Sequence, residues 1–467
     1  MDVFGMDSGV CIDQPATITN GPGLNGGSSF KGKTVKIVVA ARQYKDGTVS
    51  GRGYGDIASG VRGLGYIKKL FPEAKCSFVF EHFADDSDEL ERLISIATVD
   101  GVKPYILNGL DEGYCSSGQP SVSVDQEPEV CQLLQEADFI FHGPSGLIAP
   151  LALSNGEYAH KTIGVSEYED RTGNYENKGQ HGIAECNMGV RYNRLYLMEQ
   201  PCPETEFKDD SLRYDCATPA SKITGESDKK PFYFAYGHSY LFLAQMLRIL
   251  VLMEGDNKRD VVLVSSGQLD LHKDNQDFMG LLPEYCPYKS VKVFQIDNNG
   301  KKIEIETFNN PNGQQRKNIQ IITPDRLKNS DFFLLQKWSE INYSSGDIST
   351  SDVLSKGRIP IVDPYKKRNL FLNFQEEMRG FCRLPDNGQY SSLIDPWIIA
   401  AYGFCNEARK KFPRKKKDEI DSLRKLLSPQ WQAFELKFTD WLKQNNKTEA
   451  FIREKAEAII HKTASGG

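Results

Sequence analysis

The sequence predicts an α/β protein in which two Rossmann-like units of mostly parallel sheet face a cleft, with a helical segment at the carboxy terminus. Three observations predict it. Short β-branched runs alternate with amphipathic stretches from residue 34 onward. The alternation stops at a polar, aperiodic stretch, "ATPASKITGESDKK" at 217–230, and then starts again. Strand, helix, strand in succession leaves a parallel sheet covered on both faces, because each crossover helix buries its apolar stripe against the strands. At 467 residues the chain is also long enough for two such units and an appendage, since domains cluster near ~100–200 residues.

In the first unit "TVKIVVAA" is the opening strand, and Ile57, Val61, Leu64, Ile67 and Leu70 then recur at three- and four-residue steps, the period of one helix face. "KCSFVFEH" is the next strand, and "DDSDELERLISIA" begins on acids, which suit a helix amino end. Strands follow at "KPYILNG", "ADFIFHG", "KTIGVSE" and "NRLYLMEQ". The second unit opens on the strand "PFYFAYG". Its next segment, "YLFLAQMLRILVLM" at 240–253, carries Gln245 and Arg248 and falls short of the ~20 apolar residues of a membrane span, so it reads as a buried helix. "DVVLVSSG", "VKVFQID", "KIEIETF", "NIQIITP" and "RIPIVDP" are strands around a helix at "LKNSDFFLLQKWSEI". The chain thus divides into a flexible arm over 1–32, a first unit over 33–220, a second over 221–400 and a helical tail over 401–467.

A formal net charge of -6 excludes nucleic-acid binding through the overall field, which needs a basic face. The basic run "RKKFPRKKK" at 409–417 reads as a solvated turn between helices, with a membrane or nucleic-acid contact as the alternative. Ten cysteines are scattered with no C-x-x-C pair, a pattern of reduced thiols with no metal site. The amino end lacks the basic start and apolar centre of a signal peptide. The expectation is a cytoplasmic protein without a transmembrane segment, or one delivered into a host cytosol.

Ligands of doubly wound sheets sit beyond the carboxyl ends of the strands, where the strand order switches. Two segments there are unusual. "GRGYGDIASGVRGLGYIKKLF" at 51–71 sets six glycines around Asp56. Glycine lets backbone approach a ligand, and the following helix offers its positive end, so Gly55 is a candidate binding residue. Asp56 there either caps the helix or takes a proton from a substrate. "INYSSGDISTSDVLSKGRIPIVDP" places a small-residue turn before a short helix, "SDVLSKG", closed by Gly357. Backbone amides from Gly346 to Ser349 at a helix start would hold a diphosphate or a sugar hydroxyl, while Ser349 and Asp352 read equally well as helix caps. No dinucleotide fingerprint fits: the run from strand to helix is too long.

"YGDIASGVRGLGYIKKLFP" and "SSGDISTSDVLSKGRIPIV" resemble the corresponding segments of the protein-arginine rhamnosyltransferases, and the layout of two units resembles GT-B glycosyltransferases at large. The resemblance implies metal-independent transfer from a nucleotide sugar to an acceptor such as a protein side chain, with no cofactor beyond that co-substrate. It implies an acceptor side on the first unit and a donor side on the second. Asp56 and Asp347 would line the cleft as the catalytic acids, and Ser345, Gly346, Ile348, Ser349 and His238 would bind the donor. The second segment lacks aromatic residues expected after its strand, which implies a different sugar or acceptor. Alternatives on the same architecture are a nucleotide-sugar epimerase or hydrolase, or a non-catalytic ligand-binding protein. A metal-dependent GT-A transferase would use "DSD" at 86–88, but those acids fall where a helix begins.

Overall fold

The computed structural model describes residues 34–42, 54–82, 91, 94, 104–108, 128–145, 158–166, 176–178, 184–187, 189–191, 194–196, 232–236, 246, 250, 261–266, 288–296, 302–309, 311, 315–324, 335–344, 347–364, 368–402 and 421–465. Two seven-stranded sheets organise them. The first contains β1 (Lys36–Arg42), β2 (Lys75–His82), β3 (Tyr105–Asn108), β4 (Phe139–Ser145), β5 (Thr162–Ser166), β6 (Glu176–Lys178) and β7 (Ala184–Asn187) in the order β3-β2-β1-β4-β5-β7-β6. Every pairing is parallel except β6 with β7. Helix α1 (Tyr54–Leu70) follows β1, and α2 (Pro128–Glu136) precedes β4.

Alternation along β1 explains the two covered faces. Ile37, Val39 and Ala41 point into a core with Leu64 and Ile67 of α1 and the rings of Phe78, Phe80, Phe139 and Phe141. Val38 and Ala40 point the other way, against Val130 and Leu134 of α2. Lys161 fixes the far end of α2: its buried Nζ donates to the carbonyls of Gln135 (3.0 Å) and Ala137 (3.2 Å), groups that a helix terminus leaves unsatisfied.

The second sheet holds β10 (Phe232–Tyr236), β11 (Val261–Ser266), β12 (Tyr288–Ile296), β13 (Lys302–Asn309), β14 (Gln315–Pro324), β15 (Asn342–Ser344) and β16 (Ile361–Val362), in the order β13-β12-β14-β11-β10-β15-β16. Only β12 with β13 is antiparallel. The expected α/β architecture of two Rossmann-like units is therefore present. Of "NRLYLMEQ" the described residues Arg194–Tyr196 form β9, paired antiparallel with β8 (Gly189–Arg191) in a separate two-stranded sheet and not in a main one. Asn342–Ser344, where no strand was expected, is a buried strand, because β10 and β16 supply partners on both sides.

Helices α3 (Asp347–Ser355), α4 (Arg368–Arg383), α5 (Ile394–Tyr402), α6 (Pro429–Gln444) and α7 (Thr448–Ser465) complete the chain. Ser428 starts α6 by accepting from Trp431 N–H at 3.2 Å, with Pro429 in the first turn. Phe371 and Phe374 of α4, Trp397 of α5 and Phe434 and Phe438 of α6 finish the core of the second sheet. The Trp397 ring stacks on Phe371 at 4.9 Å, and its Nε1 donates to Pro360 O at 2.9 Å. α7 crosses to the other core, where Phe451, Ile452, Ala456 and Ile460 lie with Phe71 and the first sheet. Among the described residues no helix is long and apolar enough to cross a membrane, and Cys76, Cys131 and Cys382 are free thiols.

Candidate functional site

Each sheet has one switch point, where the chain reverses its direction of advance. In the first sheet it lies between β1 and β4, because β2 and β3 extend one way from β1 and β5 the other. In the second it lies between β10 and β15. α1 follows β1 and packs on both β1 and β4, while α3 follows β15 directly. The two segments singled out in the sequence thus open the two helices at the two switch points.

The glycines of the first segment have a packing role. Glycines 60 and 63 lie inside α1, on the side against the sheet. A Cβ on Gly60 would collide with Cβ of Ala41 and come within 3.0 Å of the Phe78 ring. On Gly63 it would reach Phe141 at 3.1 Å, and on Gly143 it would lie 3.2 Å from Cα of Gly60. The helix is drawn so close to the strands that a methyl has no room. Gly55 and Asp56 are the second and third residues of α1, so the helix begins before the acid rather than after it. Since Gly60 packs on Ala41 near the carboxyl end of β1, the backbone of Asp56, one turn earlier, stands at the carboxyl edge of the sheet.

On the second unit, Asp347 and Ile348 are the first two residues of α3, which begins four residues before the expected "SDVLSKG" helix. Gly357 terminates the turn after it with φ +78°, the left-handed conformation glycine adopts without strain. Ser349 and Asp352 are the third and sixth residues of α3 and hold no cap position. The Ser349 hydroxyl instead lies 2.5 Å from the Ser344 hydroxyl, and Thr350 Oγ1 donates to the same Ser344 Oγ at 3.2 Å. Gln336 Nε2 donates to Ser349 O at 3.4 Å. Ser345, Gly346 and His238 lie outside the described residues, as does most of "DDSDELERLISIA".

The two units touch through charge. Arg62 Nη1 of α1 lies 2.6 Å from Asp352 Oδ2 of α3, with side chains 12% and 2% exposed. Sequence reading passed over both partners: Asp352 as a cap, Arg62 altogether. The signal was the lone cation of α1 before its last turn, set between Gly60 and Gly63. A second buried carboxylate, Glu435 of α6, holds the far end of α3. Its Oε1 accepts from Ile359 N–H at 2.9 Å, and its Oε2 lies 3.6 Å from Arg358 Nε. Arg358 Nη2 also donates to Ser339 O (3.0 Å) and Glu340 O. Burial pushes the Glu435 carboxyl up to about 7, against the opposing pull of Arg358 and the Ile359 N–H.

No family model matches the chain, and no curated protein is detectably similar to it in sequence. Solved structures are similar over most of its length. An α,α-trehalose-phosphate synthase (UDP-forming) from Burkholderia vietnamiensis shares 9% identity over 92% of this chain and 97% of its own, with TM-score 0.39. A glycosyltransferase from Rickettsia africae shares 11% over 88% and 98%, with TM-score 0.38. A protein assigned as a UDP-N-acetylglucosamine 2-epimerase from Listeria monocytogenes shares 14% over 87% and 94%, with TM-score 0.37. Likenesses this distant give no residue of the present chain a role.

Proposed function

We propose that this protein is a cytosolic GT-B type glycosyltransferase, moving a sugar from a nucleotide-sugar donor on the second unit to an acceptor on the first. The observation that carries the reading is the Arg62–Asp352 contact, which joins the helices opening at the two switch points. Arg62 is six residues along α1 from Asp56, and Asp352 five along α3 from Asp347. At 1.5 Å per residue, Asp56 and Asp347 both lie within roughly 10 Å of the contact, measured along each helix.

Glycosyl transfer develops positive charge at the anomeric carbon and negative charge on the departing diphosphate. The amides that open α3, residues 347–349, lie at its positive end, where they suit that diphosphate. The Ser349 hydroxyl is engaged with Ser344, so its backbone N–H is the group it offers a donor. Asp56 is the base that accepts the nucleophile's proton, and Asp347 lines the opposite wall. The likeness of both segments to protein-arginine rhamnosyltransferases favours a protein side chain as acceptor, with the nucleotide sugar as co-substrate and no metal required.

A thermal-shift screen against UDP-, GDP-, dTDP-, CMP- and ADP-sugars tests the reading. A donor at a hundredfold excess over its Kd stabilises the folded state by about 2.7 kcal/mol, a rise of several degrees. Product analysis on the best hit then decides. A sugar found on an acceptor supports transfer, while free or isomerised sugar alone replaces it with an epimerase or hydrolase. Binding without turnover leaves a ligand-binding protein.

A further inference from the structure

We propose that Arg62 and Asp352 form a positioning pair, whose contact between the units sets the spacing of the two switch-point helices and so the fit of a nucleotide sugar between them. The proposal rests on the transferase reading for its ligand and on geometry for the rest.

Both partners stand on rigid supports. α1 cannot slide on its sheet, because Gly60 and Gly63 press its backbone onto Ala41, Phe78, Phe141 and Gly143. α3 is pinned to the second sheet by the Ser344–Ser349–Thr350 hydroxyl cluster and by Gln336. Lys356 Nζ ties the end of the helix to Gln336 Oε1 at 3.2 Å and to Asp352 O at 2.9 Å. Neither helix can move without its unit, so the distance between Arg62 and Asp352 reports the distance between units.

The pair is also almost dry. A carboxylate 2% exposed has given up its hydration, and the guanidinium 2.6 Å away offsets that loss. Removing one partner of a buried pair leaves the other charge uncompensated, which is far costlier than losing an exposed pair. Any opening that parts the units must rehydrate both groups together, so the pair holds one separation against a range of others. Arg62 and Asp352 touch neither reacting group in this scheme. They act through the helices that carry Asp56 and Asp347.

The test uses the full-length chain with Arg62→Asp, Asp352→Arg, the double charge swap, and Arg62→Lys and Arg62→Met. Small-angle X-ray scattering reads unit separation without any ligand, and tryptophan fluorescence checks that the second unit is folded. Each single reversal is expected to enlarge the radius of gyration, and the double swap to bring it back. Arg62→Lys should behave as the parent protein and Arg62→Met as the reversals. With the best donor of the screen as probe, the reversals are expected to raise KM by about tenfold or more, with a smaller change in kcat, because the loss falls on assembling the site and not on the proton transfer. Should the reversals not fold, Arg62→Lys against Arg62→Met decides alone.

Unchanged scattering and unchanged KM in the single reversals overturn the proposal, as does a double swap that recovers neither. If the parent protein binds none of the nucleotide sugars, the transferase reading fails, and the scattering arm still decides whether the pair holds the units.

Discussion

Glu435 offers a prediction whose size follows from its surroundings. The carboxyl is 3% exposed on α6, where it holds the backbone of Ile359 and faces Arg358. Loss of water dominates and pushes the carboxyl up to about 7, against 4.5 for an ordinary glutamate. The folded state therefore binds more protons than the unfolded chain between those values, and stability falls as pH rises through that window. A group raised this far contributes stability that is complete below about pH 4.5 and lost above about pH 7, amounting to about 3 kcal/mol at 1.36 kcal/mol per unit. Glu435→Gln keeps the acceptor for Ile359 N–H and removes the titration. Urea unfolding followed by tryptophan fluorescence is suited to the measurement, because all four tryptophans, 338, 397, 431 and 441, lie in the second half of the chain. Trp397 and Trp431 belong to the second core, with Trp441 packed against it. The expected result is a variant close to the parent at pH 5 and more stable than it by up to about 3 kcal/mol at pH 8. Equal slopes of stability against pH in the two proteins between pH 5 and 7 would refute the reasoning. The comparison cancels the other titrating groups, including the seven histidines.

Three further outcomes are expected. Asp56→Asn should lower turnover of the identified donor by about 10^2- to 10^4-fold with an unchanged circular dichroism spectrum, and turnover within threefold of the parent removes Asp56 as the base. Gly60→Ala forces Ala41 and Phe78 to move and should cost about 1–3 kcal/mol, measured by chemical unfolding followed by circular dichroism. Ile452→Ala, at a residue 0% exposed, should cost about 2–5 kcal/mol and increase binding of a hydrophobic dye, whereas a surface helix would lose almost nothing.

The strands were legible because burial on both faces of a parallel sheet demands apolar, β-branched runs, and "KCSFVFEH" coincides with β2 to the residue. Where the sequence misled, tertiary pairing had overridden local signal. No strand was expected at Asn342–Ser344, which becomes one through its neighbours, whereas around Gly60 the helix period was read correctly despite helix-weakening glycines, whose cost contact with the sheet offsets. The candidate acids stood out because they lie in segments of odd composition. Arg62 and Asp352 did not, since an ion pair between residues 290 positions apart leaves no periodic trace in either segment. The position of α7 was equally hidden: its sequence says amphipathic helix, and only the fold says against which sheet.

That last helix bears on how the molecule comes into being. Ribosomes deliver residue 36 long before residue 460, yet Phe451, Ile452, Ala456 and Ile460 share a core with β1. The first sheet must wait, its apolar side incompletely shielded, until residue 460 has been made. Assembly of the first unit is therefore tied to the emergence of α7, and a nascent chain stalled or truncated before it would expose greasy surface to chaperones and proteases.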